Sequence, residues 1–200
     1  YISGSFETPT GITISQVQEV SMGQAITSIN SNALENYINL TNVTISSTVT
    51  SIGNNAFQGC TELINITIPD NVTQIGTAVF KGCTKLEIVI LSKNITINDN
   101  LFENCTNLSN VFIQDGVTTI GNYVFKNCNN LKYIIIPDTI TTIGADAYSD
   151  SSITNTHVRS NTILTQPADN TTLVYVDNTT KEIDSVNTHL TQTMIREQNN

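Results

Sequence analysis

Basic residues are scarce in this chain. Its 200 residues carry 8 Lys plus Arg against 17 Asp plus Glu, a formal net charge of −9. That balance argues against nucleic acid, because phosphate backbones are bound by clustered Lys and Arg. It argues equally against docking on an anionic membrane surface. Charge of either sign is sparse, at 12% of residues. No apolar run approaches the ~18 residues of a membrane span, so no membrane insertion is expected in this segment. The first residue is Tyr1, not Met. A processed or trimmed chain is expected, with any signal peptide or anchor outside it.

The usual carriers of chemistry are also missing. The two histidines, His157 and His189, have no cysteine or acidic partner at a ligand or catalytic spacing. They read as surface residues. There is no Cys-x-x-Cys pair for zinc, no Gly-x-Ser-x-Gly elbow and no Gly-rich phosphate loop. The loop acids Asp99, Asp146 and Asp150 are scattered and form no calcium loop. The sequence therefore predicts no enzyme, no cofactor and no metal.

What the chain has in quantity is Asn, Thr, Ser and Ile, and they recur in order. Phe57, Phe80, Phe102 and Phe125 each stand three residues before a cysteine, at Cys60, Cys83, Cys105 and Cys128. Each cysteine is followed three residues later by Leu63, Leu86, Leu108 or Leu131. The cysteines lie 23, 22 and 23 residues apart. A fixed period in this range means a solenoid. Nine Asn-x-Ser/Thr sequons occur, for example at Asn39, Asn65, Asn94 and Asn178. A composition this rich in Asn and Thr produces them by chance.

Residues 1–16 form an N-terminal cap or irregular segment. Residues 9–11 read as a turn, and Ile12 and Ile14 alternate as a short strand would. Residues 17–160 carry the solenoid of 22–23-residue units. The first full unit has Leu34 in the phenylalanine place and Tyr37 in the cysteine place; the last decays through Tyr148 and Ser151. The unit at residues 95–113 is one residue short. It has Asn98 where Gly53, Gly76, Gly121 and Gly144 stand in the others. That exchange suggests a left-handed backbone at this place, since Asn is the usual substitute for Gly there.

Within a unit, Leu-x-x-Ile-x-Ile reads as a strand of period two. Pro69 and Pro137 stop two of these strands. Val-x-x-Ile-Gly reads as a second extended segment ending in a turn. Asn-Asn-Ala-Phe-Gln-Gly-Cys reads as one or two helical turns. Residues 161–200 are expected to form a C-terminal cap and polar tail. There residues 172–177 and 181–186 read as a β-hairpin closing the last coil.

The run Ile-Gly-Asn-Asn-Ala-Phe-Gln-Gly-Cys-Thr-Glu-Leu, followed by Ile-Thr-Ile-Pro-Asp, resembles the BspA-like leucine-rich repeat. The resemblance covers about residues 20–158. It implies a right-handed coil with parallel strands and little helix, on secreted or surface proteins. It also implies adhesion to host proteins or other cells, and it carries no catalytic residues.

The four cysteines hold one place in successive coils. They read as a buried stack of free thiols, with disulfides the alternative. The outward strand positions are more informative, because side chains alternate faces along a strand. One column reads Ser21, Thr44, Thr67, Ile90, Phe112, Ile135, His157. Its neighbour reads Glu19, Asn42, Asn65, Ile88, Asn110, Tyr133, Asn155. Ile88, Ile90, Phe112, Tyr133 and Ile135 thus form a candidate ligand-binding patch of a size that often marks an interaction site. The alternative is that the C-terminal segment covers it. Three functions fit: a protein- or cell-binding module using this face, a structural spacer, or a weak glycan-binding module using Tyr133 and Phe112.

Overall fold

One period of this sequence cannot enclose its own Ile, Leu and Phe side chains; stacked periods can. The computed structural model describes residues 4–6, 11, 13–93, 95–153, 155–159 and 172–176. Side chains are described for all of these except 133, 155–159 and 172–176. The chain opens with β1 (Gly4–Phe6), and a single 3-10 turn at Ile14–Gln16 leads to β2 (Glu19–Ser21). Three full coils follow, with two strands each. They supply β3 (Ile26–Ile29) and β4 (Asn42–Thr44), β5 (Ser51–Ile52) and β6 (Asn65–Thr67), then β7 (Gln74–Ile75) and β8 (Ile88–Ile90). The short coil supplies only β9 (Asn110–Phe112). The next two supply β10 (Thr119–Ile120) and β11 (Tyr133–Ile136), then β12 (Thr142–Ile143) and β13 (Asn155–Arg159). β14 (Thr172–Val176) closes the described chain.

Every described pairing is parallel, and the fold is a β-solenoid. One side carries β1-β3-β5-β7 and β10-β12; the other carries β2-β4, β6-β8-β9 and β11-β13-β14. Registers repeat the period, for example Ile52↔Ile75 and Ile66↔Val89. β14 adds another parallel rung, with Asn155↔Thr172. The expected hairpin partner at 181–186 lies outside the described residues. Of the expected strand at Ile12 and Ile14, Ile14 instead begins the 3-10 turn: Val17 N–H donates to Ile14 O at 3.3 Å, and Ile14 stays exposed; Ile12 lies outside the described residues.

The corner between the two strands of a coil is not helical, which corrects the sequence reading. Two residues in each corner are left-handed, four positions apart. One column is Asn32, Asn55, Ala78, Asn100, Tyr123 and Asp146; the other is Asn36, Gly59, Gly82, Asn104, Asn127 and Asp150. Left-handed residues interrupt a helix, and Asn and Gly tolerate that conformation best. Alternate corner N–H groups then donate to the next coil. Asn55, Phe57 and Gly59 bond the carbonyls of Thr77, Val79 and Lys81 at 2.9–3.0 Å. The corner is thus a third ladder along the axis, which satisfies backbone groups that burial would otherwise penalise.

The glycine at the end of the second extended segment is required for a different reason than its backbone angle, since none of these glycines is left-handed. A Cβ on Gly76 would lie 2.5 Å from the backbone nitrogen of Asn54 in the preceding coil, and one on Gly144 the same distance from that of Asn122. Close stacking, not handedness, selects glycine here.

The core runs unbroken through the stack. Phe57, Phe80, Phe102, Phe125 and Tyr148 are buried and stack with centroids 5.4–5.8 Å apart and planes within 11° of parallel. Leu34 begins the same column and is buried too. Vertical side-chain bonds hold the exterior. Thr50 and Thr141 hydroxyls donate to Thr27 O and Thr118 O at 3.2 Å, and Asn127 Nδ2 donates to Asn104 Oδ1 at 2.7 Å.

Candidate functional site

The outward face of β2, β4, β6, β8, β9 and β11 is built by strand alternation. Val43, Ile66 and Val89 point into the core and are buried, so their neighbours point out. The register aligns the outward columns: Ser21↔Thr44, then Thr67↔Ile90↔Phe112. The second column aligns Glu19↔Asn42 and Asn65↔Ile88↔Asn110. Ser21, Thr44, Glu19, Asn42 and Asn65 are exposed; Ile88, Ile90, Phe112 and Ile135 are half-buried. Tyr133 holds the matching backbone position in β11, beside Asn155 of β13.

The structure brings Ile88, Ile90 and Phe112 together on paired strands. It sets Ile135 and Tyr133 on a separate three-stranded sheet. No ladder joins β9 to β11 among the described residues. At that break Val111 and Ile113 are only half-buried. Their counterparts Ile134 and Ile136 are 2% and 0% exposed, and Val89 and Leu91 are 0%. Val111 and Ile113 thus pack against the core without being fully covered. Sequence alternation assigned them to the core; the single hint was the missing residue in their coil.

Glu19 is the charged member of these two columns, and two ion pairs lie outside them. Lys81 pairs with Glu103 at 2.8 Å and Lys85 with Glu62 at 2.6 Å. Burial alone would raise the Glu103 carboxyl, but hydrogen bonds from Lys81 and Asn100 outweigh it and hold the group below its usual range. Lys126 lies 5.3 Å from the centre of the Tyr123 ring.

The cysteines are free and buried. Each thiol donates back to a carbonyl in the coil before it: Cys60 to Leu34, Cys83 to Phe57, Cys105 to Phe80 and Cys128 to Phe102, at 3.0–3.2 Å. Burial pushes the Cys60 and Cys128 thiols up to about 12, and Cys83 and Cys105 well above their ordinary value. A nucleophilic cysteine needs a depressed pKa and access; these have neither. Among the described residues no group of His, Cys, Asp or Glu is placed to hold a metal ion. No described helix is long and apolar enough to cross a membrane.

The stacked coils match known structures. A leucine-rich repeat protein from Eubacterium ventriosum is 28% identical, with a TM-score of 0.60, over 74% of this chain and 46% of that one. The chain therefore spans less than half the length of that protein. A leucine rich repeat protein of T. pallidum is 21% identical, with a TM-score of 0.55, over 86% of this chain and 83% of that one, a likeness of fold. The search of curated proteins gave no match. The model of the BspA type leucine rich repeat region matches six copies, over residues 13–115 and 95–168. With that match spread over more than half of its length, and with the coil seen here repeating at the same period, the chain belongs to the BspA type leucine rich repeat family.

Proposed function

We propose that this chain is a non-enzymatic binding module of a surface or secreted protein, and that it holds a protein or cell-surface ligand on its strand face. The observation that carries this reading is the change along one aligned column. Exposed Ser21 and Thr44 give way, through Thr67, to half-buried Ile90 and Phe112. An apolar cluster ringed by polar side chains is the usual composition of an interface centre. Ile88 flanks this cluster on the paired strand, half-buried Ile135 lies on the next coil, and Tyr133 holds the matching backbone position there. The BspA type repeats support a protein-interaction role, since their solenoids are typically non-catalytic. The resemblance to this family also supports a location at the cell surface or outside the cell.

The test compares the intact chain with Phe112→Ser and Thr44→Ala on immobilised extracellular proteins and on whole cells. Phe112→Ser weakens binding by about 1 kcal/mol or more if Phe112 is an anchor; Thr44→Ala leaves it unchanged. Circular dichroism verifies that both variants stay folded. Equal binding by all three chains would instead assign the solenoid a spacer role.

A further inference from the structure

The ladders that join successive coils are not equally complete. The corner ladder holds at all five boundaries from the coil of Leu34 to the coil of Tyr148. Leu34, Phe57, Phe80, Phe102 and Phe125 N–H groups donate to Ala56, Val79, Leu101, Val124 and Ala147 at 2.7–3.0 Å. The strand face is instead divided into three blocks: β2-β4, β6-β8-β9 and β11-β13-β14. At both of its gaps the opposite side stays joined, by Ser28↔Ser51 at the first and by the Ile97↔Ile120 bridge at the second.

Side chains and backbone mark the same two gaps. Val43 and Ile45, at the edge of the first, are each 8% exposed. Val111 and Ile113, at the edge of the second, are half-buried. Their counterparts inside a block, Ile66, Ile68, Val89 and Leu91, are 0–2% exposed. Ile68 N–H donates to Ile90 O and Leu91 N–H to Phe112 O, at 3.0 and 3.1 Å. Among the described residues no such bond leaves Ile45 or Ile113. Each gap thus lies on one side of a coil whose other two sides are bonded.

We propose that the two gaps are hinges, at which the strand face opens and closes about the line of the corner. In the closed state Ile113 N–H meets Ile135 O, as Leu91 meets Phe112. The present geometry is the open state, which leaves that group to solvent while the rings of Phe102 and Phe125 stay 5.7 Å apart. Opening costs little, because the freed groups are not left buried and unpaired; closing covers two core side chains. The second hinge falls inside the candidate patch. Ile88, Ile90 and Phe112 ride on one block and Ile135 on the next. The hinge angle therefore sets the spacing of the apolar side chains on this face. The inference goes beyond the strand-face reading and does not depend on it.

The test is NMR of the full chain without any ligand, because hinge motion on the μs–ms scale appears as relaxation dispersion. Dispersion is expected at the Ile45 and Ile113 amides, and not at Ile68, Leu91 or the corner amides of Phe57, Phe80 and Phe102. Hydrogen exchange at Ile45 and Ile113 should run about tenfold faster than at Ile68 and Leu91. Asn110→Cys with Tyr133→Cys then serves as a lock, since neighbouring strands of a closed ladder come within disulfide range. The four native thiols are buried and do not compete. Formed in a glutathione buffer, the bridge should abolish dispersion at Ile113 and leave it at Ile45; reduction should restore it. A flat profile at Ile45 or Ile113 overturns the hinge at that gap. Equal dispersion along the corner overturns both, because whole coils would then be moving. A bridge that never forms, or that forms and leaves Ile113 unchanged, overturns the second hinge. Ligand binding by Phe112→Ser decides the strand-face reading alone, so the two can fail separately.

Discussion

The side-chain amide of Asn98 donates to the carbonyl of Ile75 at 2.5 Å. In other coils the equivalent carbonyl receives a backbone N–H instead: Gly53 donates to Ile29, Gly76 to Ile52, Gly121 to Ile97 and Gly144 to Ile120, at 2.7–2.8 Å. The missing residue between Ile95 and Ile97 shifts the backbone, and Asn98 restores the bond with its side chain. Asn98→Ala should therefore cost about 1 kcal/mol, read by chemical denaturation. An unchanged midpoint would mean that the carbonyl is satisfied some other way.

Phe80 is stacked between Phe57 and Phe102, 5.4 and 5.6 Å from their ring centres. Phe80→Ala should cost about 3–5 kcal/mol. Because each coil rests only on its neighbours, the loss should appear across the whole array. A melting temperature equal to that of the parent chain would contradict the shared core.

The cysteines give two readings. Thiol titration of the unreduced, denatured chain should find all four groups, while the native chain should label slowly. The alkaline limb follows from the raised thiols. An unfolded thiol ionises near pH 8.5, whereas Cys60 and Cys128 hold their protons to about 12 in the fold. The stability these thiols contribute is complete below about pH 8.5 and is lost as pH rises towards 12. Replacing Cys60 and Cys128 by Ala should flatten this limb; an unaltered slope would place its origin elsewhere.

Ala78 sits at φ 53 in a column otherwise held mostly by Asn and Asp. A left-handed L-residue costs roughly 1–2 kcal/mol, partly offset in Gly by its greater unfolded freedom. Ala78→Gly should stabilise the chain by about 0.5–1 kcal/mol, visible as a raised denaturation midpoint. A loss of stability would show that the Ala78 methyl is worth more than the relief of its backbone.

The period was legible because Phe, Cys and Leu each fill a small, enclosed place that few side chains fit. Its two strands were legible from alternation. The corner was not: Asn55 and Gly59 resemble helix and turn signals, and left-handed pairs leave no apolar pattern. The reading of Gly53 and its counterparts failed because close approach and left-handedness both favour Gly, and Asn98 pointed to the wrong one. The face was legible column by column through Ile90 and Phe112. The half-buried Val111 and Ile113 were not, since they follow from a ladder break that no residue type announces. The parallel docking of β14 was hidden for a similar reason: Leu173 and Val174 alternate alike in a hairpin or a rung.

The three ladders bear on how the molecule would carry load. Their hydrogen bonds link each coil to the next, not to distant parts of the chain. Tension applied at the two ends therefore falls on one coil boundary at a time. A yielding coil releases 22 or 23 residues, on the order of 75 Å of extended chain. Its neighbours lose one face and keep the other. A solenoid of this construction lengthens in discrete steps under pull, with each step dissipating work before the remaining coils are strained.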